Sequence, residues 1–264
     1  MKNLDAYKLK WIAIIGMFLN HAAMAFPEIL PLWVQFVFYA AGGFTFPIMA
    51  FFVVEGCKYT SNLRKYLFRI FMFGIIAQVP YMIAFRLFGI GINIMFTIFL
   101  GIILLVLYDK IKIRILYWLI VAAVSVATFI FGFDWGLIGP IIMVMYRAIA
   151  DEKRRRTIPA IVAGVFYIAL VGFGLWGIHM YSAPGFEEQL AALEATGVSR
   201  ELLLPAITFP IGSFITAYLL RHFSGERGKR MKYFFYIFYP LHFVVLVAIA
   251  AAFGLIDFGA IFGG

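Results

Sequence analysis

Two histidines lie inside apolar stretches of the sequence, where an ionisable side chain is costly. His21 follows Lys10 by eleven residues, and His242 follows Lys232 by ten. At a rise of about 1.5 Å per residue, each imidazole would lie about 15 Å along a helix from the preceding basic residue. Ionisable groups at such a depth in a membrane commonly serve a function. Each histidine is therefore either a general base or a buried side chain that bonds to a neighbouring helix.

Lys10 and His21 would also share one face of a helix. Eleven steps of about 100° return to within about 20° of the start, and Ile14 and Met17 lie between them on the same stripe. This face would present a cation at one edge of the membrane and an imidazole deep within it. The stripe fits either a binding and catalytic face or an ordinary edge lysine followed by a buried histidine.

A second group of candidates lies where the second apolar stretch ends. Glu55 stands at that boundary, and its carboxylate could take part in catalysis or pair with Lys58 or Arg64. Arg64, Lys65 and Arg69 could converge on phosphate, which guanidinium groups bind well. Basic residues at such a boundary also follow from the positive-inside rule. The spacing alone therefore leaves phosphate and lipid headgroups both open.

The last apolar stretch carries an aromatic stripe in which Tyr239 and His242 recur at helical spacing around Pro240. A proline frees a backbone carbonyl one turn earlier, and kinked helices are tolerated where they line a cavity. The stripe either packs against neighbouring helices or lines a cavity, with Tyr239 as a hydrogen-bond donor. Asn93 is another candidate donor, although most uncharged polar residues in membrane spans bond between helices.

The composition indicates which elements position these residues. The 264 residues are 64% hydrophobic and only 13% charged, whereas a soluble domain is about 45–50% apolar and about 25% charged. This excludes a soluble enzyme and a disordered chain, and the single cysteine, Cys57, excludes a disulfide framework. Unbroken apolar runs such as 244–253 also argue against a β-barrel. The sequence predicts an all-α, polytopic integral membrane bundle.

Charges and Pro/Gly breaks divide the chain into nine predicted transmembrane helices. These are 11–26, 32–55, 66–88, 92–108, 113–131, 136–150, 158–181, 205–221 and 233–255. With the N-terminus in the cytoplasm, 20 of the 22 Lys and Arg residues fall in cytoplasmic segments, and Arg86 and Arg200 lie outside. The pattern predicts a cytoplasmic N-terminus and an external C-terminus, and the basic charge then requires no nucleic acid partner. The first stretch is interpreted as a retained helix and not a signal peptide, and both it and 136–150 are short enough to be partly re-entrant.

Nine spans leave little chain for anything else, so residues 1–264 are predicted to form one membrane domain. Within it, residues 182–204 would form an external segment whose leucines recur near helical spacing with glutamates between them. This pattern predicts one or two short amphipathic helices. They would either lie on the outer membrane interface or cover an outward-facing acceptor site.

The chain resembles the family of conjugal-transfer TraX proteins. The resemblance covers most of the chain, is weakest over 150–230, and depends on several blocks taken together. These blocks are Leu9–His21, Phe46–Gly56, Arg64–Arg69, Gln78–Pro80, Asn93–Gly101, Asp134–Gly139 and Phe235–His242.

The resemblance implies an activity. TraX proteins are associated with acetylation of the pilin N-terminus and are related to transmembrane acyltransferases that acetylate surface sugars. Those relatives carry a basic residue, ten intervening residues and a histidine in their first helix, a spacing that Lys10 and His21 match. The family often has aspartate before this histidine, whereas Asn20 stands here and could orient the imidazole only as a neutral partner. Glu55 is then the candidate to supply the charge.

These expectations combine into one hypothesis, a multi-pass acetyltransferase of the bacterial cytoplasmic membrane. It would move an acetyl group from cytoplasmic acetyl-CoA to an external peptide amine or glycan hydroxyl, with membrane lipids around it and no metal. His21 would act as general base or carry the acyl group, and His242 would be a second base or an oxyanion donor. The further candidates are Tyr239 and Asn93 as donors, Asn20 and Glu55 as partners of the base, and Lys10, Arg64, Lys65 and Arg69 as ligands of the CoA phosphates.

Two other classes compete with this hypothesis. A transporter or permease would show inverted repeats with broken helices in both halves, and no such pairing is visible between 1–130 and 131–264. The other class is a non-catalytic, structural component of a conjugation or secretion system. Binding of acetyl-CoA by the purified protein would separate the enzyme from both alternatives, while the acceptor and the oligomeric state stay open.

Overall fold

A computed structural model describes residues 4–85, 91–181, 200–231 and 234–256, and all its regular structure over these ranges is helical. The all-α prediction is confirmed for this part of the chain. The helices are α1 Ala6–Ala25, α2 Leu32–Gly42, α3 Thr45–Tyr59, α4 Leu63–Ala84, α5 Ile94–Lys110, α6 Arg114–Ile130, α7 Gly139–Ala148, α8 Glu152–Tyr181, α9 Arg200–Arg221 and α10 Phe234–Ala252. Most of the predicted segment 182–204 lies outside the described residues.

Each predicted span coincides with one helix, except the second, which contains two. The helix that starts at Leu32 is interrupted after Gly42, and α3 resumes at Thr45. The largest shift of a boundary is at α8, which starts six residues before the predicted span. The Asp151 carboxylate accepts a hydrogen bond from the Arg154 N–H, and Glu152 pairs with Arg155 and Arg156. These local contacts extend the helix into a segment too charged to be predicted as a span.

Five helical segments are long and apolar enough to cross a membrane, judged by length and composition over the described residues. They are Leu32–Tyr59, Leu63–Ala84, Glu152–Phe173, Leu204–Arg221 and Phe234–Ala252. These five segments indicate a helical membrane protein. The number of nine crossings and the side of the membrane on which each terminus lies stay predictions. The helix α7 has ten residues, about 15 Å, which is half of a hydrocarbon core of about 30 Å.

The chain forms two compact units. The first unit combines Met1–Met49 with Asp151–Glu226, and the second combines Ala50–Ala150 with Arg227–Gly264. The boundary between them falls within α3. The prediction of one continuous membrane domain stays a prediction.

In the first unit, α1 packs antiparallel to α2, and α9 packs beside both α2 and α8. One end of this unit joins three separate segments of the chain. Leu4 pairs with Phe223 in an isolated β-bridge, and the Arg156 guanidinium donates to the Phe223 carbonyl at 2.8 Å. The segment before α1, the first turn of α8 and the segment after α9 therefore lie at the same end, as the charge pattern predicts.

In the second unit, α4 and α10 run in the same direction. The ring of Phe73 contacts that of Tyr236 at 5.1 Å between centroids, and farther along both helices Tyr81 contacts Phe243 at 5.4 Å. Parallel packing is expected when both helices cross from the inside to the outside, as the predicted topology has it.

The helices α5, α6 and α7 complete the second unit around a small apolar core. Its fully buried members are Leu104, Tyr117, Val121 and Val144. At one end of this group the Arg147 guanidinium pairs with the Asp109 carboxylate at 2.6 Å. Two of the segments predicted to be cytoplasmic, at 108–114 and 147, thus lie at the same end of the unit.

Candidate functional site

The helix α1 carries both Lys10 and His21 without interruption. It begins where the Asp5 carboxylate accepts a hydrogen bond from the Lys8 N–H at 2.8 Å. Ile14 and Met17 are buried, and His21 is only 6% exposed. Because one regular helix holds all these residues, the shared face predicted for Lys10 and His21 is present.

Asn20 lies beside His21 in a close contact between α1 and α2. A Cβ atom added at Gly42 would lie 2.5 Å from the Asn20 Cγ atom, so only glycine permits this approach. Asn20 is 8% exposed, and its amide nitrogen lies 3.8 Å from the Met24 sulfur. Its amide oxygen accepts no hydrogen bond from the residues that the structure describes. A buried acceptor therefore lies next to the candidate base.

The interruption between α2 and α3 is stabilised by hydroxyl groups of α9. Ser213 donates to the Gly43 carbonyl at 3.2 Å, and Thr216 donates to the Phe44 carbonyl at 3.4 Å. Broken helices expose backbone carbonyls that need such partners in a membrane. These two bonds hold the junction between α2 and α3 against α9, directly after Gly42, which contacts Asn20 of α1.

In the second unit, Asn93 ends an extended segment and caps α5. Its amide nitrogen donates to the Gly74 carbonyl at 2.8 Å and to the Gln78 side-chain oxygen at 2.7 Å, while its oxygen accepts from the Met95 N–H. Gln78 in turn donates to the Gly91 carbonyl at 2.7 Å. The expected bonding between helices is confirmed. The oxyanion role of Asn93 stays a prediction, and it would require one of these bonds to break.

The loop between α6 and α7 is held against the start of α5. Its Asp134 N–H donates to the Ile92 carbonyl at 2.8 Å, and the Thr97 hydroxyl donates to the Asp134 carbonyl at 2.6 Å. The next residue, Trp135, has a φ of 57°, which is unfavourable for a side chain of this size. Backbone strain of this kind concentrates at functional sites, because the surrounding structure has to maintain it.

Asp134 was not among the residues predicted to be functional. Although the residue keeps some exposed surface, protein surrounds its carboxyl group, and this desolvation raises the pKa of Asp134 from 3.8 to about 6. The Trp135 N–H lies against the carboxyl group and offsets part of the rise. The charge of this carboxylate acts on the phenol groups of Tyr81 and Tyr239. The available sequence signal was an acidic residue in an otherwise apolar loop.

Tyr239 and His242 lie together on α10, with 5.6 Å between their ring centroids. His242 is 2% exposed, is stacked on Phe238, and has its Nδ1 atom 3.1 Å from the Phe238 carbonyl oxygen. A carbonyl can only accept, so Nδ1 carries the proton in this hydrogen bond. Tyr239 is 5% exposed, and its hydroxyl makes no hydrogen bond to the described residues.

The basic residues of α4 start at its exposed first turn. Arg64 and Lys65 are exposed just after Asn62, whose side chain caps the helix. Arg69 lies one turn further, with its guanidinium carbon 5.8 Å from the Tyr66 ring centroid and 5.9 Å from that of Tyr236. Its Nε is buried and has no hydrogen-bond partner among the described residues. An unpartnered guanidinium nitrogen beside two exposed cations fits an anionic group such as a CoA phosphate.

Glu55 pairs with Lys58 at 2.9 Å, one of the two ion-pair partners that the sequence left open. Its participation in catalysis stays a prediction. Within the described residues, no group of three or more His, Cys, Asp or Glu side chains could hold a metal ion.

The predicted residues are thus divided between the two units. Lys10, Asn20 and His21 belong to the first unit, and the other seven belong to the second: Glu55, Arg64, Lys65, Arg69, Asn93, Tyr239 and His242. The pairing of His21 with His242 and the convergence of Lys10 with the cations of α4 stay predictions.

Long apolar helices, buried imidazoles and an interrupted helix define a polytopic helical membrane protein with polar groups in its interior. The family model described as TraX protein matches residues 6–250, and the chain belongs to this family. It is also 30% identical, over 260 residues, to a probable fimbrial assembly protein, FimC of serogroup H1, from Dichelobacter nodosus. This similarity covers 93% of the chain and 96% of that protein. No solved structure matches the chain.

Proposed function

We propose that this protein is a membrane-embedded acetyltransferase that takes its acetyl group from cytoplasmic acetyl-CoA. The acceptor would be an amine or hydroxyl at the outer face of the bacterial cytoplasmic membrane, such as a pilin-like peptide N-terminus or a surface glycan. Membership of the TraX family supports acetyl as the group that is transferred. The similarity to a probable fimbrial assembly protein supports an acceptor related to pili.

The observation that carries the proposal is the stripe on α1. His21 is buried on the face that begins with Lys10, eleven residues earlier on the same unbroken helix. A lysine at the membrane edge would bind a phosphate of acetyl-CoA while the pantetheine arm extends along the stripe towards the imidazole. His21 would then remove the proton from the acceptor as the acceptor attacks the thioester carbonyl. Collapse of the tetrahedral intermediate would break the C–S bond, and the CoA thiolate would leave and take up the proton from His21. In the variant mechanism, His21 carries the acetyl group between the two substrates.

Other residues support this chemistry in both units. The unpartnered Nε of Arg69 and the exposed groups of Arg64 and Lys65 would bind the remaining phosphate charge. Asn20 would orient the base or its substrate as a neutral hydrogen-bond partner. His242 would act as a second base or, like Tyr239, as a donor to the oxyanion of the tetrahedral intermediate. Glu55 and Asn93 are further candidates for these partner and donor roles.

The first experiment compares His21→Gln with His222→Gln in purified protein, measuring acetyl-CoA binding and acetyl transfer. Loss of a general base lowers a rate by about 10²- to 10⁴-fold, so His21→Gln should lower transfer by that factor and leave acetyl-CoA affinity nearly intact. His222, at the end of α9 in the same unit, is the matched control, because its Nδ1 bonds the Tyr218 carbonyl at 2.8 Å on an exposed surface. Wild-type turnover in His21→Gln would overturn the role of His21. Absence of acetyl-CoA binding by the wild-type protein would favour a transporter or a non-catalytic component.

The phosphate sites are tested by Lys10→Ala and Arg69→Ala. Each should weaken CoA binding, and raised salt should weaken the binding of the wild-type protein because ions screen exposed charges. Lys112→Ala is the control, since this exposed lysine follows α5 and is not a candidate ligand. Equal affinity in all three variants would mean that the two cations only set the topology.

A further inference from the structure

An open groove of about 320 Å³ runs between α4 and α10 in the second unit. All the side chains that line it are apolar, among them Ile76, Val79 and Pro80 of α4 and Pro240 and Val244 of α10. Val79 and Val244 are more than half exposed, so the groove opens to the surroundings of the helix pair. Because both helices are long and apolar enough to cross a membrane, these surroundings would be lipid.

A proline in each helix accounts for the space between them. The register of the two helices, given by the ring contacts described above, brings Pro240 to within about one turn of Pro80. A proline ring inside a helix displaces the carbonyl four residues earlier and supplies no N–H. Two such positions at nearly the same level disturb both helix surfaces where they meet, and both prolines line the groove.

The groove continues a stripe of α4 that begins at Arg69. Arg69, Phe73, Ile76 and Pro80 follow one another at intervals of four, three and four residues, so they share one face of the helix. Ile76 lies about 10 Å and Pro80 about 16 Å beyond Arg69 along the axis. One leaflet of a bilayer has a hydrocarbon thickness of about 15 Å. The groove is therefore within reach of an acyl chain whose headgroup lies at Arg69.

The basic end of this stripe has charge and a donor to offer. The Arg69 Nε atom is buried without a hydrogen-bond partner among the described residues, beside the rings of Tyr66 and Tyr236. Arg64 and Lys65 are exposed about one turn earlier. Within the described part of the chain, the ion pairs join residues other than these three cations. This end of the groove therefore complements a negative charge.

We propose that Arg69 and the groove form a binding site for a phospholipid with an anionic headgroup. The lipid phosphate would accept the Arg69 Nε–H, and one acyl chain would lie in the groove. A zwitterionic lipid fits less well, because Arg64 and Lys65 would repel its ammonium group. A helix from a second copy of the chain also fits less well, because an apolar helix would leave the Arg69 donor without an acceptor.

The inference does not require acetyl transfer, although Arg69 is a candidate ligand of acetyl-CoA as well. The groove separates the two ligands. The pantetheine arm of CoA contains amide groups, which the apolar lining could not pair, whereas an acyl chain has no polar group. Variants of the groove should therefore affect the lipid and not acetyl-CoA.

The experiment measures the affinity of the purified full-length protein in detergent for phosphatidylglycerol by native mass spectrometry. Phosphatidylcholine with the same acyl chains is the zwitterionic control, and glycerophosphoglycerol is the headgroup without chains. Each basic residue near a lipid surface contributes about 1 kcal/mol to binding of anionic lipid, so phosphatidylglycerol should bind at least about fivefold more tightly than phosphatidylcholine. Glycerophosphoglycerol should bind more weakly than phosphatidylglycerol. Equal affinity for the two lipids, or equal affinity for the chainless headgroup, would overturn the proposal.

The headgroup contact is tested by Arg69→Gln. A hydrogen bond to a charged group is lost, so phosphatidylglycerol should bind about 10- to 100-fold more weakly. Arg114→Gln is the control, because this exposed arginine of the same unit bonds the Tyr108 carbonyl at 3.0 Å and lies over the Tyr108 ring. Wild-type lipid affinity in Arg69→Gln, or the same loss in both variants, would overturn the assignment.

A second pair of variants keeps the test decisive if Arg69→Gln does not fold. Ile76 lines the groove and is 53% exposed, whereas its neighbour Ile75 is 46% exposed and does not line it. Ile76→Trp would fill the groove and should weaken phosphatidylglycerol binding at least about fivefold, as expected for overpacking. Ile75→Trp should keep the wild-type affinity. Equal affinities of the two variants would overturn the proposal, and a change of oligomeric state in Ile76→Trp without loss of lipid would assign the groove to a second copy instead.

The two proposals fail in different ways when acetyl-CoA affinity is measured on the same preparations. Ile76→Trp should lower lipid affinity and leave acetyl-CoA affinity unchanged. If Arg69→Gln weakens acetyl-CoA binding and keeps lipid affinity, this inference is wrong and the proposed function stands. If the wild-type protein prefers phosphatidylglycerol but binds no acetyl-CoA, the lipid site stands and the proposed enzyme is wrong.

Discussion

The two units hold their polar residues in different ways. In the first unit, glycines bring the helix backbones so close that Asn20 touches Gly42 and α9 bonds the broken ends of α2 and α3. In the second unit, side-chain hydrogen bonds connect the elements: Asn93 bonds α4 from the start of α5, and Thr97 bonds the loop that contains Asp134. The first arrangement fixes the axis of α1, and with it the position of His21 within the first unit. The second fixes individual polar atoms, which is what recognition of a ligand requires.

The largest expected effect concerns the amide network of the second unit. Asn93→Ala removes three side-chain hydrogen bonds and leaves the Gly74 carbonyl and the Met95 N–H without that partner, while the Gln78 oxygen keeps the bond from the backbone N–H of residue 93. Unsatisfied buried groups cost about 1–3 kcal/mol each, so the free energy of unfolding in detergent should fall by about 2–4 kcal/mol. Ser125→Ala is the control, because that buried hydroxyl has no partner among the described residues and its loss should be nearly neutral. Similar losses in both variants would contradict the network.

The next effect is the pH dependence that Asp134 gives to the second unit. Its pKa is higher in the folded protein than its ordinary value of 3.8, so the folded state binds more protons between about pH 4 and pH 6. Stability should therefore decrease as the pH rises through this window, by at most about 3 kcal/mol.

Thermal unfolding of wild-type and Asp134→Asn protein across the same pH range measures this contribution. The difference between the two curves isolates Asp134 from the other carboxylates, and Asp109→Asn should follow the wild-type curve. A constant difference between pH 4 and pH 7 would show that the carboxyl of Asp134 is not desolvated.

A smaller effect tests the close backbone packing of the first unit. A Cβ atom at Gly212 would lie 2.2 Å from the Ala40 carbonyl oxygen, so Gly212→Ala must separate α9 from α2. Overpacking of this kind costs about 1–3 kcal/mol. Gly172→Ala on α8 is the control, because nothing lies within 4 Å of the added atom. In the second unit, Gly101→Ala would meet the flexible end of Met143 and should cost less than Gly212→Ala. The reverse order would contradict the comparison between the units.

The sequence was most informative where a feature repeats along one helix. Hydropathy located the helices, and the spacing of Lys10 and His21 predicted a shared face that α1 displays. The interruption after Gly42 was not predictable, because its carbonyls depend on Ser213 and Thr216, about 170 residues later in the chain. Asp134 was missed for the same reason, since its loop is held by Ile92 and Thr97, about 40 residues earlier in the chain. Glu55 had two explanations in the sequence, and the structure adds the ion pair with Lys58 without deciding its role.

The smallest effect compares one hydroxyl from each unit. Thr97→Val keeps the shape of the side chain and removes the 2.6 Å bond to the Asp134 carbonyl, while Thr216→Val removes the longer 3.4 Å bond to the Phe44 carbonyl. A typical hydrogen bond contributes about 1 kcal/mol, so Thr97→Val should cost about that amount in unfolding experiments and Thr216→Val less. A larger loss of stability in Thr216→Val than in Thr97→Val would mean that the hydroxyl of the first unit contributes more than its longer bond predicts, and the contrast between the two units would be wrong.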